Sequence, residues 1–203
     1  MNEVIRMETI NQLIEQLGIN ANLSLEEIPN IDLYMDQVIQ LFESKFAEAK
    51  RNDDEKILTK TMINNYAKGK LIFPIQNKKY SKEHLILISL IYQLKGALSI
   101  NDIKTTLDGI NKRIIKEDID LERFYNSYLK LSSSNAAALK IDVEKRAEEV
   151  SAEISDGQTG NTAYLEQVLM IASLAHMSNL YRKAAEKLVD GIVVDKDGKR
   201  HKQ

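Results

Sequence analysis

The sequence predicts a mostly α-helical protein, a small head domain followed by a helical C-terminal region. Three observations lead there. Only two prolines and eight glycines occur in 203 residues, so little breaks a helix. Apolar residues recur at three- and four-residue spacing in segment after segment. Serine, threonine or aspartate stands before many of these segments and glycine after several, where helix caps belong.

The elements follow in order. Ile10, Leu13, Ile14 and Leu17 share a helical face that ends at Gly18, and residues 1–29 read as an N-terminal helical extension. Ser24 to Glu27 leads into Pro29, which leaves room for only a short helix. Asp32 is the expected N-cap of a helix to about Lys50, with Met35, Val38, Ile39, Phe42 and Phe46 inward. Arg51 to Glu55 is a charged turn. Thr59 or Thr61 caps a short helix that buries Met62, Ile63 and Tyr66 and ends near Gly69. Leu71 to Ile75 is extended, because Pro74 disfavours helix at the residue before it. Ser81 caps a helix over 82–95 that is apolar almost all round, as expected of a domain centre. Ser99, with Asp102 three residues on, opens the next helix.

Leu121, Phe124, Tyr125, Tyr128 and Leu129 form a further stripe. Ser132-Ser133-Ser134-Asn135 reads as a joint, which gives a head domain of residues 30–131 and a helical region of residues 136–190. In that region Leu139, Val143, Ala147, Val150 and Ile154 share a face, and residues 155–161 form a loop. A last helix runs from about Thr162 to Asp190, ended by Gly191, with Leu165, Val168, Leu169, Ala172, Ala175, Leu180, Ala184 and Leu188 on its apolar side. Residues 191–203 are expected to be a disordered polar tail.

Charge is distributed unevenly. From Lys56 to Lys82 the chain carries seven lysines and no acidic residue. Removing those seven from the 28 basic residues leaves 21 against 30 acidic ones, so the rest of the chain is formally −9. A cationic island in an otherwise acidic protein marks contact with something negative. Its side chains suited to phosphates or bases are Thr59, Lys60, Thr61, Asn64, Asn65, Tyr66, Lys68, Lys70, Lys78, Lys79, Tyr80 and Lys82.

Residues 58–107 resemble the DNA-binding head of MerR-type regulators, a winged helix-turn-helix. Thr61-Met62-Ile63-Asn64-Asn65-Tyr66 is similar to that family's recognition helix. Lys68-Gly69-Lys70-Leu71-Ile72-Phe73-Pro74 is similar to its Lys-Gly-Leu-Leu-x-Pro run, with the glycine and second lysine exchanged. Lys78-Lys79-Tyr80-Ser81-Lys82-Glu83 resembles the wing exit, and Leu98-Ser99-Ile100-Asn101-Asp102-Ile103 the start of the fourth helix. A closer resemblance, over about residues 28–130, is to an uncharacterised bacterial family, domain of unknown function eighteen thirty-six. It rests on Leu-Thr-Lys-Thr-Met-Ile-Asn-Asn-Tyr at 58–66 and Lys-Tyr-Ser-x-Glu-His at 79–84.

Both resemblances imply a MerR-like head; the MerR resemblance adds double-stranded DNA as partner and transcriptional regulation, while the uncharacterised family supplies no established activity. MerR-type regulators bind palindromic sites as dimers, and the 162–190 helix is the expected dimer element if this chain is a homodimer. In this chain the wing between Pro74 and Tyr80 is shorter than is typical of those regulators, and the turn before Thr59 is longer. The alternative is a protein-interaction module that docks an acidic partner through the same lysines.

Other chemistry finds little footing. The chain has no cysteine and three scattered histidines, so thiolate and histidine metal sites are not expected. Glu144/Glu148 and Glu149/Glu153 read as a solvated charged face. Asp195-Lys196-Asp197-Gly198 lacks most ligands of a calcium loop. His84 is expected to cap a helix or meet a phosphate. We expect no enzyme activity, no cofactor, no membrane span and a cytoplasmic location; whether a small-molecule effector exists is not legible.

Overall fold

The computed structural model describes residues 12, 14–15, 17–19, 21–155 and 162–200. Among them are six α-helices and a two-stranded antiparallel sheet: β1 (Leu33–Tyr34), α1 (Met35–Lys45), α2 (Lys60–Lys68), β2 (Lys79–Tyr80), α3 (Lys82–Leu94), α4 (Ile100–Ile115), α5 (Leu121–Ser155) and α6 (Thr162–Arg200). The protein is mostly α. The described residues divide into two compact units, one of residues 21–129 with those from Arg182 on, the other of residues 130–181 with those before Ala21.

In the first unit α3 is the axis. Every residue from His84 to Ile91 is buried, as its all-round apolar sequence predicts. Val38 and Phe42 of α1, Ile63 and Tyr66 of α2, Ile103 and Leu107 of α4, and Leu121 and Tyr125 of α5 close around it, joined by Val189 of α6. Burying a large apolar side chain contributes about 1.5–3 kcal/mol, so this cluster dominates the unit's stability. Tyr125 adds a polar tie: its hydroxyl donates to the carbonyl of Leu23 at 2.7 Å and lies 2.8 Å from Ser89 Oγ.

Asp32 does not cap α1. Leu33 pairs with Tyr80 and Tyr34 with Lys79, so the chain is still extended at Tyr34, and the helix begins one residue later. Gln37 reaches back to accept the Tyr34 N–H at 2.8 Å. α1 ends at Lys45 and a 3-10 turn follows over Ala47–Ala49. Thr59, Ser81 and Ser99 stand at the N-caps of α2, α3 and α4 as expected.

In the second unit Val143, Ala147 and Val150 of α5 bury against Met170 of α6 and Ile14, with Leu139, Leu174 and Ile19 packed alongside. Arg146 forks onto Asp142 at 2.7 and 2.9 Å and donates to Ser173 at 3.3 Å, linking α5 to α6. The packed face of α6 is Glu166, Met170 and Leu174; Val168, Leu169, Leu180 and Leu188 are exposed. Apolar residues surround this helix, so periodicity alone did not select its packed side.

The expected joint at Ser132–Asn135 is helical, since α5 runs unbroken through it. Ser and Asn cost only tenths of a kcal/mol per residue in a helix, and three alanines follow. Gly191 likewise does not end α6, which continues to Arg200 and replaces the expected disordered tail up to that residue. A helix-interior glycine costs about 1 kcal/mol relative to alanine, and Ala185 and Val189 anchor the preceding turns in the core. Gly18 sits at a φ of 57° in the turn after the first described helical residues. Ile10, Leu13, most of the 155–161 loop and residues 201–203 lie outside the described residues.

Candidate nucleic-acid interface

α2 is short, so its orientation depends on its ends. The Thr59 hydroxyl accepts the Met62 N–H at 3.1 Å. At the other end the Lys70 N–H bonds the Ala67 carbonyl at 3.1 Å and the Leu71 N–H bonds the Tyr66 carbonyl at 2.9 Å. This is a Schellman closure, and it requires a left-handed residue just past the cap. That residue is Lys70, at φ 59°. The preceding Gly69 is right-handed and is needed for a different reason. A Cβ there would lie 2.7 Å from Leu71 Cδ1 and 2.9 Å from the Asn65 carbonyl oxygen. A lysine therefore occupies the left-handed position that favours glycine.

Ile63 and Tyr66 fix the inward side of α2. Lys60, Thr61, Asn64, Asn65 and Lys68 are all exposed on the other side. Tyr66 and Tyr80 are only 4% and 2% exposed, and burial raises both phenol pKa values. They support the surface from beneath.

Residues 76–79 form a tight hairpin. Gln76 bridges Lys79 across Asn77 and Lys78, whose φ values are 50° and 59°. Two consecutive positive φ values make a type I′ turn, the form that matches strand twist. Lys78 is thus a second lysine in left-handed backbone.

A chain of contacts puts hairpin and helix on one surface. Lys79 pairs with Tyr34 in the sheet and holds its ammonium 5.3 Å from the centre of the Tyr34 ring. Two residues on, Asp36 pairs with Lys60 at the start of α2, at 2.8 Å. Lys82 pairs with Glu122 at 2.9 Å. Lys56, Lys68, Lys70 and Lys78 are exposed, with no ion pair among the described residues. Tyr34, Asp36 and Glu122 are therefore part of this surface although they lie outside the lysine run. Only strand pairing and packing bring them there, and neither leaves a local sequence signal.

Beneath the hairpin, His84 is buried. Its Nδ1 accepts the Ser81 N–H at 3.1 Å, and Nε2 lies 3.3 Å from the Phe73 carbonyl. Its ring stacks on Phe73 with centroids 3.8 Å apart. Burial lowers its pKa, outweighing the bond to Phe73 and the charge of Glu83. A neutral ring with the proton on Nε2 satisfies both bonds. His84 is thus a cap that props the base of the hairpin and does not reach the surface.

Among the described residues no group of three or more His, Cys, Asp or Glu could hold a metal ion, and no helix is long and apolar enough to cross a membrane. Fold and surface together define a mostly α protein with a small lysine-bearing, hairpin-containing head. The chain belongs to the family described as Domain of unknown function (DUF1836), which matches residues 23–128. No curated protein and no solved structure shows significant similarity to it.

Proposed function

We propose that residues 21–129 act as a MerR-like winged helix-turn-helix that binds double-stranded DNA and regulates transcription. In this reading α2 enters the major groove and the 76–79 hairpin is the wing. The carrying observation is the pair of left-handed lysines, Lys70 and Lys78. A non-glycine residue in that region costs about 1–2 kcal/mol. Both lie in the acid-free island, one at the end of the exposed helix and one at the hairpin tip. Strained backbone positions cluster at functional sites, and lysine at these two places is well explained by phosphate contact. The exposed Thr61, Asn64, Asn65 and Lys68 supply groups for base edges and backbone.

Anisotropy titration of the full chain on duplex fragments of its own genome, at two salt concentrations, tests this. Phosphate neutralisation makes log K fall with log salt at about 0.9 per contact. Binding should weaken steeply with salt, and Lys68→Glu, Lys70→Glu and Lys78→Glu together should abolish it. Salt-insensitive binding, or none, overturns the proposal. Capture of an acidic protein that the triple variant loses, with no DNA binding, would favour a protein-docking role for the same surface.

A further inference from the structure

We infer that Asn64 and Asn65 make this surface select adenine, so that its sites carry A·T pairs under α2. The inference rests on the DNA-binding reading above and adds base preference to it. At 3.6 residues per turn, the exposed side of α2 consists of two rows, Lys60-Asn64-Lys68 and Thr61-Asn65. Asn64 lies between two lysines that would flank it along the groove, and Asn65 shares its row with Thr61. Neither carboxamide forms a hydrogen bond with a described residue, so both are uncommitted.

The donor and acceptor of a carboxamide match the N6 donor and N7 acceptor that adenine presents in the major groove. Guanine presents two acceptors there and is matched by a fork of donors, usually arginine. No arginine lies between Lys56 and Lys82. The exposed lysine nearest the helix start, Lys60, already holds Asp36. Lys68 sits in the last turn, away from the N-terminal residues that approach base edges in a helix-turn-helix. Thr61, one turn before Asn65, offers a methyl that suits the thymine methyl of the same kind of pair.

The test is selection from a randomised duplex library with the full-length protein and with Asn64→Ala, Asn65→Ala and the double variant. Affinities and salt slopes are then measured on the winning duplexes and on versions with A·T replaced by G·C. Wild type should enrich adenine and lose about 5- to 150-fold on replacement. The double variant should bring that ratio close to one with an unchanged salt slope. Enrichment of guanine, or a ratio that survives both substitutions, overturns the adenine inference and leaves the DNA-binding proposal standing. Absence of salt-sensitive binding to any duplex overturns both.

Discussion

The carboxylate of Glu43 accepts the backbone N–H of Ile57 at 2.8 Å, across the loop between α1 and α2. The same oxygen meets the Leu58 N–H at 3.3 Å, and its partner oxygen takes Lys50 at 2.6 Å. One α1 side chain thus fixes the two residues before the Thr59 cap, and with them the start of α2. Glu43→Ala leaves the N–H of the buried Ile57 without its acceptor and should cost about 1–3 kcal/mol in urea unfolding. Lys50 first, then the two N–H groups, hold the Glu43 pKa below its ordinary value against burial. Because the folded value is the lower one, this stability is complete above the free carboxyl's pKa and is lost as pH falls through the folded pKa. Wild type should lose stability more steeply on acidification than the Glu43→Gln variant; equal slopes would remove Glu43 from this role.

Lys70 and Lys78 should show opposed effects on fold and binding. Replacing either with glycine relieves a left-handed residue, at φ 59° in both cases. The gain is about 1 kcal/mol, reduced by the greater freedom of glycine in the unfolded chain. If the proposed DNA-binding role holds, the same change removes a phosphate contact and should lower the salt slope of DNA binding by about 1. Raised urea midpoints with flatter salt dependence are the expected pair of results. Variants that are destabilised, or that bind with the wild-type slope, would contradict the functional account of these turns.

His84 predicts a pH response at the base of the 76–79 hairpin. Its pKa is lowered, chiefly by burial, so the unfolded chain takes up a proton at higher pH than the folded one. The sign follows: stability is intact above about 6.5, the free imidazole value, and declines as pH drops from there to the folded pKa. Protonation also converts the Nδ1 acceptor of the Ser81 N–H into a donor. His84→Asn places an oxygen near the Nδ1 position and cannot ionise. Between pH 7 and the onset of carboxylate titration, thermal melts of this variant should be nearly flat while wild-type midpoints fall. Parallel curves would rule out His84 as the source.

Local chemistry was legible and non-local pairing was not. Thr59, Ser81 and Ser99 were readable as caps because each acts within three residues of itself. The all-round apolar run of α3 identified the core without further information. The strand pairs Leu33–Tyr80 and Tyr34–Lys79 were not readable, because a two-residue ladder has no alternation to detect. That pairing displaced the Asp32 cap and brought Tyr34 and Asp36 beside the lysines. Ser132–Asn135 and Gly191 read as breaks, yet their local penalties are small beside the packing of the helices that contain them. Within the site, the polar face of α2 was evident from spacing. The burial of Tyr66 followed from the same spacing, whereas that of Tyr80 did not, because tyrosine suits both a core and a binding surface.

Tyr125 joins three segments far apart in sequence and offers a test of how the head is held together. Its hydroxyl donates to the Leu23 carbonyl at 2.7 Å, so Ser89, 2.8 Å away, is left to donate to Tyr125. The ring is fully buried and stacks on Tyr128 with centroids 5.8 Å apart, a contact that phenylalanine keeps. Tyr125→Phe should therefore isolate the polar term. It strands a buried carbonyl and a buried serine hydroxyl, at about 1–3 kcal/mol for an unsatisfied buried group. Adding Ser89→Ala removes one stranded group, so the double variant should be no less stable than Tyr125→Phe alone; with Ser89→Ala measured as well, the cycle gives a coupling energy between these α3 and α5 residues. Burial pushes the Tyr125 phenol up to about 12. Since the unfolded phenol ionises near 10, wild-type stability should begin to fall as pH rises past that value, and Tyr125→Phe should remove this part of the alkaline loss. A double variant substantially weaker than the single, together with an unaltered alkaline limb, would show that apolar packing alone holds α5 to the head.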